Sequence, residues 1–251
     1  MEITNIKAVQ REVPGTNIIG NASCVINNTV AVNNITIRQS KNRQIYMEMP
    51  QQKNAKTGNY QDVAFPLNKE ARAAISDAVL SEFYKSNSQQ HNKSTDSISD
   101  IEVQLYNVKS NKDTKPSVLA QGSITLDNEF VIKGVKVVLS KEGKQFISLP
   151  SSYNSATNKR YSIIAPASKE AYTKISNAVL GAYRENLKIA EEYLYAELTG
   201  EQIASLSSKT NIKFDIGKVQ SDGSSIVRIN KVDKAKFEQA LGFSSRSQQK
   251  K

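Results

Sequence analysis

The chain has 251 residues, 38% of them hydrophobic and 23% charged, which suits about two domains of ordinary size. It carries a single cysteine and a single histidine, which excludes an intrachain disulfide, a cysteine-based zinc site and a Ser-His-Asp or Cys-His arrangement. Its net charge of +10 divides as +2 over residues 1–100, +5 over 101–187 and +3 over 188–251, so the basic character is spread along the chain and nucleic acid is the first partner to consider, with solubility as the plain alternative.

Met1-Glu2-Ile3-Thr4 opens directly into a strand-like pattern and lacks the charged start and apolar run of a signal peptide. No stretch approaches the roughly 18 apolar residues of a membrane helix. A soluble cytoplasmic protein is expected. Next come Cys24 and Ile26, then Asn27-Asn28, then Val30 and Val32, the pattern of a tight β-hairpin. Cys24 sits at an apolar strand position and reads as a small buried hydrophobe. A third strand is expected through Ile35 and Ile37, and a fourth through Ile45, Tyr46 and Met47, closed by Pro50. After Pro66, Asn68 caps a helix whose Ile75, Ala78, Val79 and Phe83 recur at helical spacing. A polar linker with nothing to bury follows, and it holds His91 as a solvated loop residue.

The pattern then starts again. Residues 2–85 lie over 102–185 without a gap, and about one position in five is identical. Pro50 falls on Pro150, Pro66 on Pro166 and Lys69-Glu70-Ala71 on Lys169-Glu170-Ala171. A repeat of this length is a duplicated domain, since solenoid units run about 20–50 residues. The second copy has a half-buried strand over 102–108, a hairpin about Asp127-Asn128, a separate strand through Val135 and Val137, and a fourth through Phe146 and Ile147. Ser168 caps its helix, in which Ile175, Ala178, Val179 and Tyr183 recur. Residues 188–243 are not a third copy. They read as a β-α-β-β-α module, with a strand at 193–198, Thr199 capping a short helix, strands through Phe214 and Val227 joined by a turn at 221–223, and Asp233 capping a closing helix. Residues 244–251 read as a disordered basic tail.

In the second copy, Gly122-Ser123-Ile124-Thr125-Leu126-Asp127-Asn128-Glu129-Phe130-Val131-Ile132, the following Val135-Lys136-Val137 and the Ser148-Leu149-Pro150-Ser151 corner closely resemble the stage V sporulation protein G (SpoVG) family. The first copy adds its opening six residues, Met49-Pro50, Asp62-Val63-Ala64-Phe65-Pro66-Leu67 and the helix ending at Tyr84. The resemblance covers about two thirds of the chain. It implies a small α+β domain that pairs through its sheet, and a non-enzymatic bacterial regulator, linked to sporulation and septation, that binds nucleic acid.

The expected fold is therefore α+β: two tandem SpoVG-like domains (1–86 and 101–187, with a linker at 87–100), each an antiparallel sheet with one C-terminal helix. A family domain that pairs with its twin, duplicated in one chain, implies an intramolecular pseudo-dimer. Family binding residues cluster in a basic loop after the Met-Pro corner, where Ser-Lys-Arg-Thr is usual. Here the segment reads Gln51-Gln52-Lys53-Asn54 and Ser151-Ser152-Tyr153-Asn154, so only Lys53 keeps a charge at the family's Arg position. The candidate nucleic-acid contacts are Lys53, Lys56, Arg72, Lys159, Arg160 and Lys174, reached through loops 51–60 and 151–161; as readings of these cations, phosphate contacts and a solvated face stand level. Tyr60 and Tyr161 are expected to pack on their sheets in preference to stacking on bases. Asp127 and Glu129 read as turn chemistry, because Asn27 and Thr29 replace them in the first copy. No metal-ligand spacing and no Gly-rich phosphate loop appears, and no cofactor is expected. The expected partners are DNA or RNA and no membrane, with further self-association and a protein partner at the C-terminal module as additions. The alternative to nucleic-acid binding is a protein–protein adaptor, favoured by the lost basic pair and the extra module.

Overall fold

The first copy folds into seven strands and a helix. These are β1 (Ile3–Gln10), β2 (Ile18–Ile26), β3 (Val30–Gln39), β4 (Ile45–Glu48), β5 (Gln51–Lys53), β6 (Tyr60–Asp62), β7 (Ala64–Pro66) and α1 (Lys69–Lys85). The second copy repeats the order as β8 (Ile101–Tyr106), β9 (Ser117–Leu126), β10 (Phe130–Leu139), β11 (Gln145–Ser148), β12 (Ser151–Asn154), β13 (Lys159–Ser162), β14 (Ile164–Pro166) and α2 (Lys169–Glu192). The C-terminal module is β15 (Tyr193–Leu198), α3 (Gly200–Lys209), β16 (Phe214–Val219), β17 (Ser225–Asn230) and α4 (Lys234–Ala240). This computed structural model describes residues 1–54, 57–85, 98–109, 117–220 and 223–242. His91, Lys56 and the 244–251 tail lie outside the described residues, as does most of the expected linker. The chain divides into two units, Met1–Tyr183 and Arg184–Lys251.

Both hairpins turn on residues in the left-handed region. Asn27 and Asn28 have φ of 45° and 48°, and Asp127 and Asn128 have 47° and 55°. Short polar side chains tolerate this conformation, and it matches the twist of the flanking strands. The two expected strands after each turn are one strand each: β3 and β10 run unbroken and absorb an irregularity in register, with Asn34 (φ 60°) and Gly134 (φ 77°) at the bend. A bulge bends a ladder without ending it, so the sequence shows a break where the hydrogen bonding continues. The caps form as expected: Asn68 accepts from the Ala71 N–H at 2.7 Å, and Ser168 from the Ala171 N–H at 3.1 Å. Ala71, Ile75, Val79 and Phe83 are buried on α1, and Ala171, Ile175, Val179 and Tyr183 on α2.

The copies are joined by strand exchange. β7, from the first copy, pairs antiparallel with β10 of the second, Ala64 opposite Ile132 and Pro66 opposite Phe130. β14, from the second copy, pairs with β3 of the first, Ile164 opposite Val32 and Pro166 opposite Val30. Backbone bonds continue each crossing, Lys133 N–H to the Val63 carbonyl and Asn33 N–H to the Ile163 carbonyl, both at 2.8 Å. Each copy thus completes the other's sheet, the intramolecular pseudo-dimer that duplication implies. The hairpin turns meet as well: Asn27 Nδ2 donates to Asp127 Oδ2 at 2.6 Å.

In the C-terminal module β17 lies between β15 and β16, all antiparallel. Leu198, Leu206, Ile212, Val227, Ile229 and Phe237 form its core. Thr199 and Gln202 make the full capping box at α3. Asp233 precedes α4 but makes no capping hydrogen bond. It closes a short 3-10 turn, and its carboxylate faces Lys236 at 3.8 Å instead.

Candidate nucleic-acid interface

The segments expected as basic loops are β-ribbons. β5 pairs with β6 and β12 with β13, each ribbon following a Pro corner and preceding an exchanged strand. Val63 N–H to the Pro50 carbonyl, and Ile163 N–H to the Pro150 carbonyl, close the two bases at 2.9 and 3.0 Å. The bases adjoin, because Gln52 Nε2 donates to the Ser151 carbonyl at 2.9 Å. The strand exchange therefore sets both ribbons at the junction of the two copies.

Register assigns the side chains to faces. Lys53 stands opposite Tyr60 on the first ribbon, and Tyr153 opposite Arg160 on the second. The cation and the aromatic have traded strands between copies, so each ribbon presents one of each at the same cross-strand pair. The second copy therefore keeps its positive charge: Arg160 supplies what Tyr153 removes, with its guanidinium carbon 5.9 Å from the Tyr153 ring centre. Reading one strand at a time hides this exchange, whereas comparing positions 53/60 with 153/160 as pairs reveals it. Lys159 and Tyr161 stand exposed on the opposite face of the second ribbon.

Tyr60 and Tyr161 do not pack on sheets, since they are 67% and 46% exposed, and Tyr153 joins them at 57%. A two-stranded ribbon has no layer beneath it against which a ring can be buried. Asp62 is the carboxylate of the ribbons, and it accepts from Gln51 Nε2 at 2.8 Å.

The remaining candidates lie elsewhere. Arg72 is exposed on α1. Lys174 on α2 donates to the Ile98 carbonyl at 3.0 Å and lies 3.8 Å from Asp100, which fixes it to the segment leading into the second copy. That segment also holds Asp127. Partial burial pushes its carboxyl up, but the Ser99 hydroxyl, the Asp100 N–H, Asn27 and the Lys174 charge more than offset this and hold it below its ordinary value. Glu129 meets the terminal ammonium of Met1 at 3.1 Å. Both carboxylates are engaged by distant parts of the chain, Asp127 by Asn27 and Asp100 and Glu129 by Met1. Among the described residues no group of three His, Cys, Asp or Glu side chains is placed to hold a metal. No described helix is long and apolar enough to cross a membrane.

The SpoVG family model matches the chain twice, over residues 1–85 and 97–185. This chain belongs to the SpoVG family. Three relatives carry the name of the septation protein SpoVG. The one from Archaeoglobus fulgidus is 42% identical over 84 residues, 34% of this chain and 92% of the relative. The one from Finegoldia magna is 36% identical over 92 residues (36% and 77%), and the one from Heliobacterium modesticaldum 37% over 93 residues (37% and 96%). Each match takes up most of the relative and about a third of this chain, so a relative corresponds to one copy. No solved structure matches the chain.

Proposed function

We propose that this SpoVG-family chain is a regulatory protein that binds DNA or RNA through its paired ribbons, and that its role lies in septation, the process for which its relatives are named. The reading rests on the cation–tyrosine pairs, Lys53 with Tyr60 and Tyr153 with Arg160, held at equivalent places on two adjoining ribbons. Cations track phosphates, and exposed tyrosines offer stacking faces to unpaired bases, a combination that binds without a metal or cofactor. Lys159 adds charge on the other face of its ribbon.

The test is fluorescence anisotropy with labelled single-stranded DNA, single-stranded RNA and duplex DNA at about 50 mM salt, where counterion release favours binding. The intact protein binds at least one of them. The triple variant Lys53→Glu, Lys159→Glu, Arg160→Glu weakens that binding at least ten-fold while its thermal unfolding stays unchanged. Affinity too weak to measure for all three probes would overturn the proposal and leave a protein–protein adaptor as the better account.

A further inference from the structure

The two copies differ in what they show on the outer faces of their sheets, opposite the helices. In the first copy this face carries a network of its own side chains. Arg38 Nε donates to Glu48 Oε2 at 2.6 Å and Arg38 Nη1 to Asn17 Oδ1 at 2.6 Å, while Asn17 Nδ2 donates to the Tyr46 hydroxyl at 3.3 Å. Arg38 and Glu48 are thus paired, while Lys7 stands exposed on the same face in the row with Ser23.

In the second copy every member of that network is replaced. Val138 stands where Arg38 stands, Ser148 for Glu48, Phe146 for Tyr46 and Ser117 for Asn17. Two lysines are gained, Lys133 for Asn33 and Lys136 for Thr36. Register sets them among polar and aromatic neighbours. One row across the sheet reads Tyr106, Gln121, Lys136, Ser148, and the next Gln104, Ser123, Lys133. Phe146 pairs with Val138 and so sits diagonally from Lys136. Phe65, delivered by the exchanged strand β7, lies beneath the Lys133 ammonium at 4.7 Å. Tyr106 is 55% exposed and Phe146 41%. Neither of the two lysine rows contains a carboxylate, and Glu102 stands in the row beyond, with Thr125, Val131 and Phe65.

We infer that the outer face of β8–β11 is a second contact surface that takes single-stranded nucleic acid, with Tyr106 and Phe146 stacking on bases and Lys133 and Lys136 neutralising phosphates. This inference rests on the ribbon reading for the class of ligand, and it assigns a separate site. The two lysines outnumber Glu102, the exposed carboxylate of the neighbouring row, and their charge is complementary to a polyanion. The two rings stand about three strand spacings apart, ~14 Å, with Lys136 between their strands. Duplex DNA keeps its bases stacked within the helix, so stacking on Tyr106 and Phe146 selects the single strand.

The experiment uses the full chain and labelled oligonucleotides of about 20 nucleotides, single-stranded and duplex, with anisotropy as the readout. The double variant Tyr106→Ser, Phe146→Ser weakens single-strand binding at least ten-fold, since stacking on one aromatic is worth about 5- to 160-fold in affinity. It leaves duplex binding within two-fold. Phe146→Tyr, which keeps the ring, retains wild-type affinity. Tyr46→Ser, the matching change in the first copy, leaves affinity within two-fold because Asn33 and Thr36 stand there in place of Lys133 and Lys136. A double variant that binds single strands like the wild type overturns the inference and leaves the ribbon reading standing. So does an equal loss toward both probes. A wild type that binds neither probe overturns both readings.

Discussion

The salt dependence of binding separates ribbon contacts from sheet contacts by number. The perturbation is to neutralise the three described ribbon cations as Lys53→Gln, Lys159→Gln, Arg160→Gln. All three are exposed, so the fold should tolerate the change. If each neutralises one phosphate, the ribbons contribute a log-log slope of about −2.7 on duplex DNA and about −2.1 on single strands. Raising salt from about 50 to about 200 mM then weakens duplex binding about 40-fold and single-strand binding about 20-fold. If Lys133 and Lys136 also engage the single strand, its slope steepens to about −3.5 while the duplex slope stays at about −2.7. The triple variant should lower each slope by the ribbon share and leave a single-strand remainder near −1.4. Anisotropy titrations at four or five salt concentrations measure this. A variant slope within one unit of the wild type would refute the assignment of the ribbons as phosphate contacts.

Ile164 is 2% exposed and faces Val32 across the exchange, so Ile164→Ala opens a cavity at the junction of the copies. It should cost about 2–5 kcal/mol and lower the melting temperature by ~4–20 °C, and a urea-derived loss below ~1 kcal/mol would count against that packing. Asp127 has a depressed folded pKa, so its stabilisation is complete above the ordinary value of 3.8 and lost as pH falls through the folded value. The urea midpoint should therefore decline below about pH 4, and Asp127→Asn, which copies Asn27, should flatten that decline. An unchanged acid profile would remove Asp127 from the account. Cys24 is 1% exposed and burial pushes its thiol up to about 12, so a maleimide at pH 8 should label it only after unfolding. Labelling of the native protein at the rate of a free thiol would contradict its placement.

The duplication, the turn dipeptides and the helix caps were legible because each follows from local chemistry. Asn27-Asn28 and Asp127-Asn128 accept positive φ, Asn68 and Ser168 offer a cap oxygen, and Ile75 and Ile175 mark the same helix face. The ribbons were not legible as strands. Gln51, Gln52 and Lys53 are exposed on both faces, so they carry no alternation of apolar and polar residues to detect. The exchange was legible as an expectation of pairing but not as a geometry. β7 and β14 have three residues each, too few for sequence to state which sheet they complete. The unbroken β3 and β10 escaped because Asn33-Asn34 and Lys133-Gly134 look like turns, yet the ladder passes through them. Lys174 looked like a free cation because its partners, Ile98 and Asp100, lie about 75 residues away in sequence and become neighbours only in the fold.

Fusion explains why the copies are free to differ. In a symmetric pair of identical chains the two hairpin turns bring the same residue face to face, so an Asp at position 127 would meet an Asp and repel it. Here Asn27 meets Asp127, and a single 2.6 Å hydrogen bond runs from amide to carboxylate. The relatives, each matching about a third of this chain, would carry any such substitution in both partners if they paired with their twins. The same freedom permits Lys53 and Tyr60 to trade strands with Tyr153 and Arg160. It also permits one outer sheet face to pair Arg38 with Glu48 while its twin gains Lys133, Lys136 and an exposed Phe146. Covalent linkage holds the effective concentration of the partner near millimolar, so the exchange keeps its geometry while each half accumulates its own surface. On this account the differences between the copies carry the functional information, and their identities carry the fold.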